Sequence, residues 1–311
     1  MVLLSPLGII TPITPGQIPL FLMPCFIKKT ECSDDIVRVA RALNDTNWIH
    51  DPKKVEKPVS PAFKLGAALF DGISTLIEMY DGLGYDSGNL KLARVYMDFK
   101  DFTFSGDDLE GILIFKEQPR NGQFSINGRL TKKSSDSKSV DRAEFVYSSR
   151  PLSTGVIPDD ENNHISQIDE NAGKLFCNAI KPDNVHFYED QHPRNMPCLP
   201  HPFFLLGQIT PPLLDFYHND VKVHHDIVGN GDLTPVIRSL DFEFFSGFQN
   251  LRYGSDIVMR TAYFVKQNHK FPICNAMVLA GDSGGVLAYK ADVKIIMCLT
   301  DEMQKQLGYK Q

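Results

Sequence analysis

A chain of 311 residues with a formal net charge of -6 and a pI near 5.8 offers no electrostatic footing for nucleic acid or an anionic membrane surface. Lysines and arginines are scattered rather than striped, and the length allows two domains of ordinary size or one large one. The six cysteines, at 25, 32, 177, 198, 274 and 298, form no Cys-x-x-Cys pair and no metal spacing, so they read as reduced, mostly buried thiols of a cytoplasmic protein.

Residues 1 to 30 hold short β-prone runs, Leu20-Phe21-Leu22 and Phe26-Ile27. Pro6, Pro12, Pro15, Pro19 and Pro24 interrupt them, which reads as strand and loop rather than a targeting segment. Ser33, followed by Asp34 and Asp35, predicts the N-cap of a helix whose apolar stripe is Ile36, Val39, Ala40 and Leu43. That helix ends near Asn44. On a continuous helix Asp45 and His50 would diverge by about 140°. The side chains of Asn44, Asp45, Thr46 and Asn47 favour turns, so the chain is expected to bend there and aim both groups at one substrate.

Val59-Ser60-Pro61 opens a second helix, with Pro61 at a position where a missing NH costs little. Phe63, Leu65, Ala67, Ala68, Leu69, Phe70, Ile73, Leu76 and Ile77 cover nearly all sides of it, so it must be enclosed. Residues 92 to 150 change to a period of two, as in Val95, Met97 and Phe99, with turns at Gly106-Asp107, Arg120-Asn121-Gly122 and residues 134 to 139. An antiparallel sheet follows, and the class is α+β.

Residues 151 to 175 are poor in apolar side chains and read as an exposed linker. Beyond it the pattern returns. Pro61 to Gly66 reappears as Pro202 to Gly207, Met97-Asp98-Phe99 as Leu240-Asp241-Phe242, and Gly106 as Gly254, at offsets of 141, 143 and 148. Three matches in the same order predict a duplicated domain, with one half over 1–150 and another over 176–311.

Asn44-Asp45-Thr46-Asn47-Trp48-Ile49-His50-Asp51 resembles the signature of the MaoC-like enoyl-thioester hydratases and dehydratases, roughly Gly-Asp-x-Asn-Pro-(Ile/Leu)-His-x-Asp. Asp45, Asn47, Ile49 and His50 match it, while Asn44 stands for the family's glycine and Trp48 for its proline. The resemblance implies a hotdog fold, in which a sheet curls round a central helix, and with the internal repeat a double hotdog. It further implies a hydro-lyase in which Asp45 and His50 activate a water between them, with no metal and no cofactor. Asn47 and Trp48 then flank the substrate, an acyl thioester of coenzyme A or of an acyl carrier protein, and a homodimer stays open. A carboxylate and an imidazole within reach of one water suit this chemistry, since hydration needs a base toward water and an acid toward C2. Charge builds on the thioester oxygen, and the Ala62 and Phe63 amides at a helix start are candidate donors to it. A thioesterase with Asp45 as base, or a non-catalytic acyl-binding protein, are the alternatives.

Other motifs carry less. His192 to His201 resembles a segment of another hotdog dehydratase class, but Leu206 stands where its acid belongs, so the second half is expected to lack a site. Gly281-Asp282-Ser283-Gly284-Gly285 copies a serine-protease motif, but no Ala-Ala-His-Cys-like segment places the upstream His that such an enzyme needs, and a tight hairpin accounts for its glycines. His224-His225-Asp226 lacks supporting ligands and is expected to bind no metal. Lys53, Lys54 and Lys57, just beyond the bend, are candidates to meet coenzyme A phosphates or an acidic carrier, the alternative being a solvated face.

Overall fold

The computed structural model of the chain describes residues 25–82, 90–115, 123–133, 139–157, 174–180, 200–217, 235–266 and 273–296. The run Leu20-Phe21-Leu22, the turn at Arg120 to Gly122, the His192 segment and His224-His225-Asp226 lie outside them.

Strand β1 (Cys25–Thr30) leads into α1 (Ser33–Ala42), a 3-10 turn (Trp48–His50) and the long α2 (Ala62–Gly82). Then come β2 (Lys91–Phe99), β3 (Asp108–Phe115), β4 (Gln123–Lys132) and β5 (Ser139–Ser148). The second part follows with β6 (Lys174–Ala179), α3 (Pro202–Gly207), α4 (Thr210–Phe216), β7 (Val236–Phe244), β8 (Asp256–Lys266), β9 (Ile273–Asp282) and β10 (Leu287–Ile296). Lys174 and Leu175, assigned to the linker on composition, already pair with Thr261 and Arg260 in the β6–β8 ladder.

The ten strands of the described residues form one antiparallel sheet in the order β1-β3-β4-β5-β2-β7-β10-β9-β8-β6. Read inward from each edge, the two sides follow the same sequence of strands: first, third, fourth, fifth, second on one, and β6, β8, β9, β10, β7 on the other. At the centre, β2 and β7 pair with Met97 opposite Leu240 and Val95 opposite Phe242, the residues that the sequence repeat aligns or places next to its aligned triplets. The repeated glycines share a backbone state too: Gly106 and Gly254 have φ of +90° and +85°, a region where a side chain would be strained.

Alternation in β2 and β7 sends Val95, Met97, Phe99, Leu240, Phe242 and Phe244 to one buried face. Helix α2 lies against that face, with Phe63, Leu65, Leu69 and Ile73 almost fully buried. It meets α3 closely at Gly66, where a methyl group would sit 2.2 Å from the Phe203 ring. The enclosure expected for α2 is present, with one addition: Lys64 is buried as well, 3% exposed.

Helix α1 departs by one residue from expectation. Ser33 is the first helical residue, and the N-cap position falls to Cys32, which makes no side-chain cap bond. Its carbonyl already accepts from Ile36 N at 3.0 Å, so the helical series starts there.

Candidate active site

The helix α1 stops in a Schellman motif. Asn44 N donates to Arg41 O at 3.0 Å and Asp45 N to Ala40 O at 2.8 Å, with Asn44 left-handed at φ +51°. Glycine is the usual residue at this C′ position and asparagine the common substitute. The departure from the family signature at Asn44 therefore leaves the backbone path intact.

Asp45 next folds onto its own turn. One carboxylate oxygen accepts from Asn47 N at 3.0 Å, and Asn47 caps the 3-10 turn by accepting from Ile49 N. Trp48 is the first residue of that turn, a position that also suits proline. The turn carries His50 back over Asp45, so that His50 Nε2 and Asp45 Oδ2 are 3.2 Å apart.

His50 is held from its other side. Nδ1–H donates to the Val59 carbonyl at 2.6 Å, which places any second ring proton at Nε2, facing the carboxylate. Burial opposes a charge on this ring, but the Asp45 carboxylate, its hydrogen bond and the Val59 carbonyl outweigh it and raise the His50 pKa above its ordinary value.

A cavity of about 300 Å³ opens over the pair. Asp45, Asn47, His50, Ser60 and Ala62 line one side, Phe99 to Thr103 another, and Thr210, Leu213, Leu214, Pro235 to Arg238, Ile295 and Ile296 the rest. Both parts of the chain thus build one chamber, tied at its rim by Asn47 Nδ2, which donates to Pro235 O at 2.9 Å. Among the described residues neither the Ala62 nor the Phe63 amide has an acceptor, as expected at the start of α2.

Of the residues singled out from sequence, Asp45, Asn47, His50 and Ala62 meet at this cavity, and Trp48 and Phe63 are not among its lining. Trp48 packs instead on a small cluster of Ile49, Val55, Val59 and Phe102. The Phe63 ring points into the main core, 6.3 Å from Phe242 centroid to centroid. Sequence reasoning missed Thr103 and Thr210, whose hydroxyls are buried without a partner in the cavity wall. It also missed Glu31, which is 2% exposed and pairs with Lys64. No group of three metal-ligating side chains occurs among the described residues.

The protease motif is a turn. Asp282 Oδ1 accepts from Gly284 N and Val286 N, both at 3.0 Å, closing the β9–β10 hairpin. No helix of the described residues is long and apolar enough to cross a membrane.

No protein-family model matches the chain, and no curated protein matches it in sequence. Solved structures do. A MaoC-like dehydratase superposes with a TM-score of 0.54 at 10% identity, covering 88% of this chain and 96% of its own. A MaoC-like dehydratase from Phytophthora capsici reaches 0.51 at 12% identity, covering 94% and 99%. The chain has the hotdog fold. The same hotdog architecture is shared with the 12:0-ACP thioesterase from Umbellularia californica, at a TM-score of 0.51, 11% identity, and coverage of 88% and 94%. Identities this low speak for the hotdog fold and leave the reaction to be argued from the site.

Proposed function

We propose that this protein is a hydro-lyase that hydrates 2-enoyl thioesters or dehydrates 3-hydroxyacyl thioesters, with Asp45 and His50 as its acid–base pair. The observation that carries this reading is the contact of His50 Nε2 with Asp45 Oδ2 at 3.2 Å in the wall of a largely apolar cavity. A water bound beside the pair in the cavity gives a proton to the pair as its oxygen attacks C3, and the pair returns a proton to C2. Dehydration runs the same transfers backwards. The Ala62 amide donates to the thioester oxygen as enolate charge builds there. The substrate is an acyl thioester of coenzyme A or of a carrier protein.

Two tandem hotdog units, over 1–150 and 176–311, are part of the same proposal. The mirrored strand order, the Met97–Leu240 register and the matched φ of Gly106 and Gly254 support it. In the second unit His201 stands where the first has Ser60, and its Nδ1 accepts from Phe203 N at 2.9 Å. That amide is the counterpart of Ala62 N, so the second unit has spent its donor on a cap and serves as the far wall of the first unit's chamber.

Thioester hydrolysis is the second reading, favoured by the fold shared with the 12:0-ACP thioesterase. Incubation with crotonyl- and longer enoyl-coenzyme A, following enoyl absorbance and free thiol together, separates the two. Loss of absorbance without thiol is expected. Thiol release at the same rate would replace the lyase by the hydrolase.

A further inference from the structure

The two units can be compared residue by residue around the start of the central helix. Glu31 follows β1, accepts from Gly106 N at 2.8 Å and donates to Asp107 O at 2.9 Å. Ile180 follows β6, accepts from Gly254 N at 2.8 Å and donates to Ser255 O at 3.0 Å. The same pair of bonds thus brackets Glu31 in one unit and Ile180 in the other. Counting from Pro61 and Pro202, Lys64 corresponds to Leu205. Where the second unit buries Ile180 and Leu205, the first buries a carboxylate and an ammonium, all four at 3% exposure or less.

An apolar pair satisfies this place in the fold, and replacing a buried ion pair by well-packed apolar residues is often neutral or stabilising. The charges therefore need another reason. Glu31 Oε2 takes the Lys64 ammonium and also accepts from Ser60 Oγ at 2.9 Å. Ser60 occupies the place of His201, which in the second unit caps its helix. A serine there would be a good cap too. Its hydroxyl is turned to Glu31 instead, and the helix begins differently: Leu205 N donates to His201 O, whereas Lys64 N donates to Pro61 O. The Ala62 amide stays without an acceptor at the cavity wall.

Two further features tie the pair to the site. Ser60 follows Val59, whose carbonyl holds His50 Nδ1. Ser60 N donates to the Thr103 carbonyl at 2.7 Å, and the Thr103 hydroxyl, 1% exposed and without a partner, lines the same cavity. An open amide and an unpaired hydroxyl in the wall of one cavity call for a ligand oxygen.

We propose that Glu31 and Lys64 are positioning residues: by holding the Ser60 hydroxyl they prevent it from capping α2, and so keep the Ala62 amide free for the substrate's thioester oxygen. This rests on the thioester reading above. The test copies the second unit into the first as Glu31→Ile with Lys64→Leu and reads hydrogen exchange at the Ala62 amide in protein labelled with 15N-alanine, beside kinetics on enoyl-coenzyme A. Ala62 exchange is expected to slow at least 10-fold as Ser60 turns to cap it. Turnover falls by a similar factor while KM stays within about 3-fold, because a donor used mainly in the transition state is lost. Glu31 is also the carboxylate 3.9 Å from the Lys29 ammonium, so Lys29→Met is added to the double variant; thermal stability is then not expected to fall, and adding Ser60→Ala is expected to restore both exchange and turnover. Unchanged Ala62 exchange, or loss of activity that Ser60→Ala does not relieve, overturns the proposal. Should the double variant not fold, Glu31→Gln serves, since a neutral amide oxygen holds the hydroxyl less strongly than a carboxylate. It should slow Ala62 exchange a few-fold in a way that Ser60→Ala reverses, and no slowing overturns the proposal. A wild-type protein inactive on every thioester sinks the functional reading alone, because the amide exchange is read without substrate.

Discussion

At the scale of single residues, the site is a carboxylate and an imidazole in contact at 3.2 Å, the carboxylate helping to raise the imidazole's pKa. Asp45→Asn and His50→Ala are each expected to lower turnover by the ~100- to 10,000-fold typical of a lost acid or base, with circular dichroism spectra unchanged. An active variant of either kind would remove the pair from the mechanism. The same contact also sets a pH dependence of stability. The folded His50 pKa is raised, so its contribution is fully present below the unfolded value near 6.5 and is lost as pH rises through the folded value. A series of Tm values across pH 5.5 to 9 should therefore show a decline from about 6.5 upward that His50→Gln flattens. Lys29 adds the opposite slope further up: burial, with Lys64 close by, lowers it to about 8, so the folded state regains stability as pH climbs from there toward 10.5. Lys29→Met should then raise Tm at pH 7 and remove that upper limb.

At the scale of elements, what could be read from sequence was whatever local chemistry decides. The bend at Asn44 to His50 was legible because turn-forming side chains follow an amphipathic helix, and both Asn44 and Asn47 act through their immediate neighbours. The enclosure of α2 was legible from its apolar residues alone. The Glu31–Lys64 pair was not, since its members lie 33 residues apart and meet only when β1 packs beside α2. Nor was the position of Trp48: it is not among the residues lining the cavity, and it packs on Ile49, Val59 and Phe102, which are. Contact between elements also sets a prediction. Gly66 and Gly207, equivalent by the repeat, sit where helix α2 meets α3 and where α3 meets α1, and an added methyl at Gly66 would strike the Phe203 ring at 2.2 Å and Met97 Sδ at 2.7 Å. Neither neighbour is a free chain end, so Gly66→Ala should destabilise by the ~1–3 kcal/mol typical of overpacking. Urea denaturation checks it, and an unchanged midpoint would mean that the two helices separate easily.

At the scale of the whole molecule, one continuous sheet and one shared chamber make the two parts interdependent. The main core runs through both, from Val39 to Ile295, and β2 and β7 join them by main-chain pairing reinforced by Arg94, whose Nε and Nη2 reach the Asp241 carboxylate at 2.8 and 2.5 Å. That ion pair is half exposed on the arginine side and adds little beyond register; the joined strands and the buried residues beneath them hold the molecule together. Residues 1–150 expressed alone would leave the β2 edge unpaired and uncover the face that α3 and β7 now cover, including Met97 and Phe63. An open strand edge above an apolar patch favours self-pairing or precipitation. The fragment is therefore expected to be insoluble or to run as a dimer by light scattering, and a stable monomer would show that the first part closes its own core. Stoichiometry follows from the same architecture. In the second part His201 caps α3 through Nδ1, its Nε2 lies 3.4 Å from Asp71 of the first part, burial holds its pKa well below the ordinary value, and neither residue is among those lining the shared chamber. Titration with a non-reactive acyl thioester analogue should give one site per chain, lost when Thr210→Trp fills the wall that the second part contributes. Two equivalent sites, or binding indifferent to Thr210→Trp, would place the substrate outside the shared chamber.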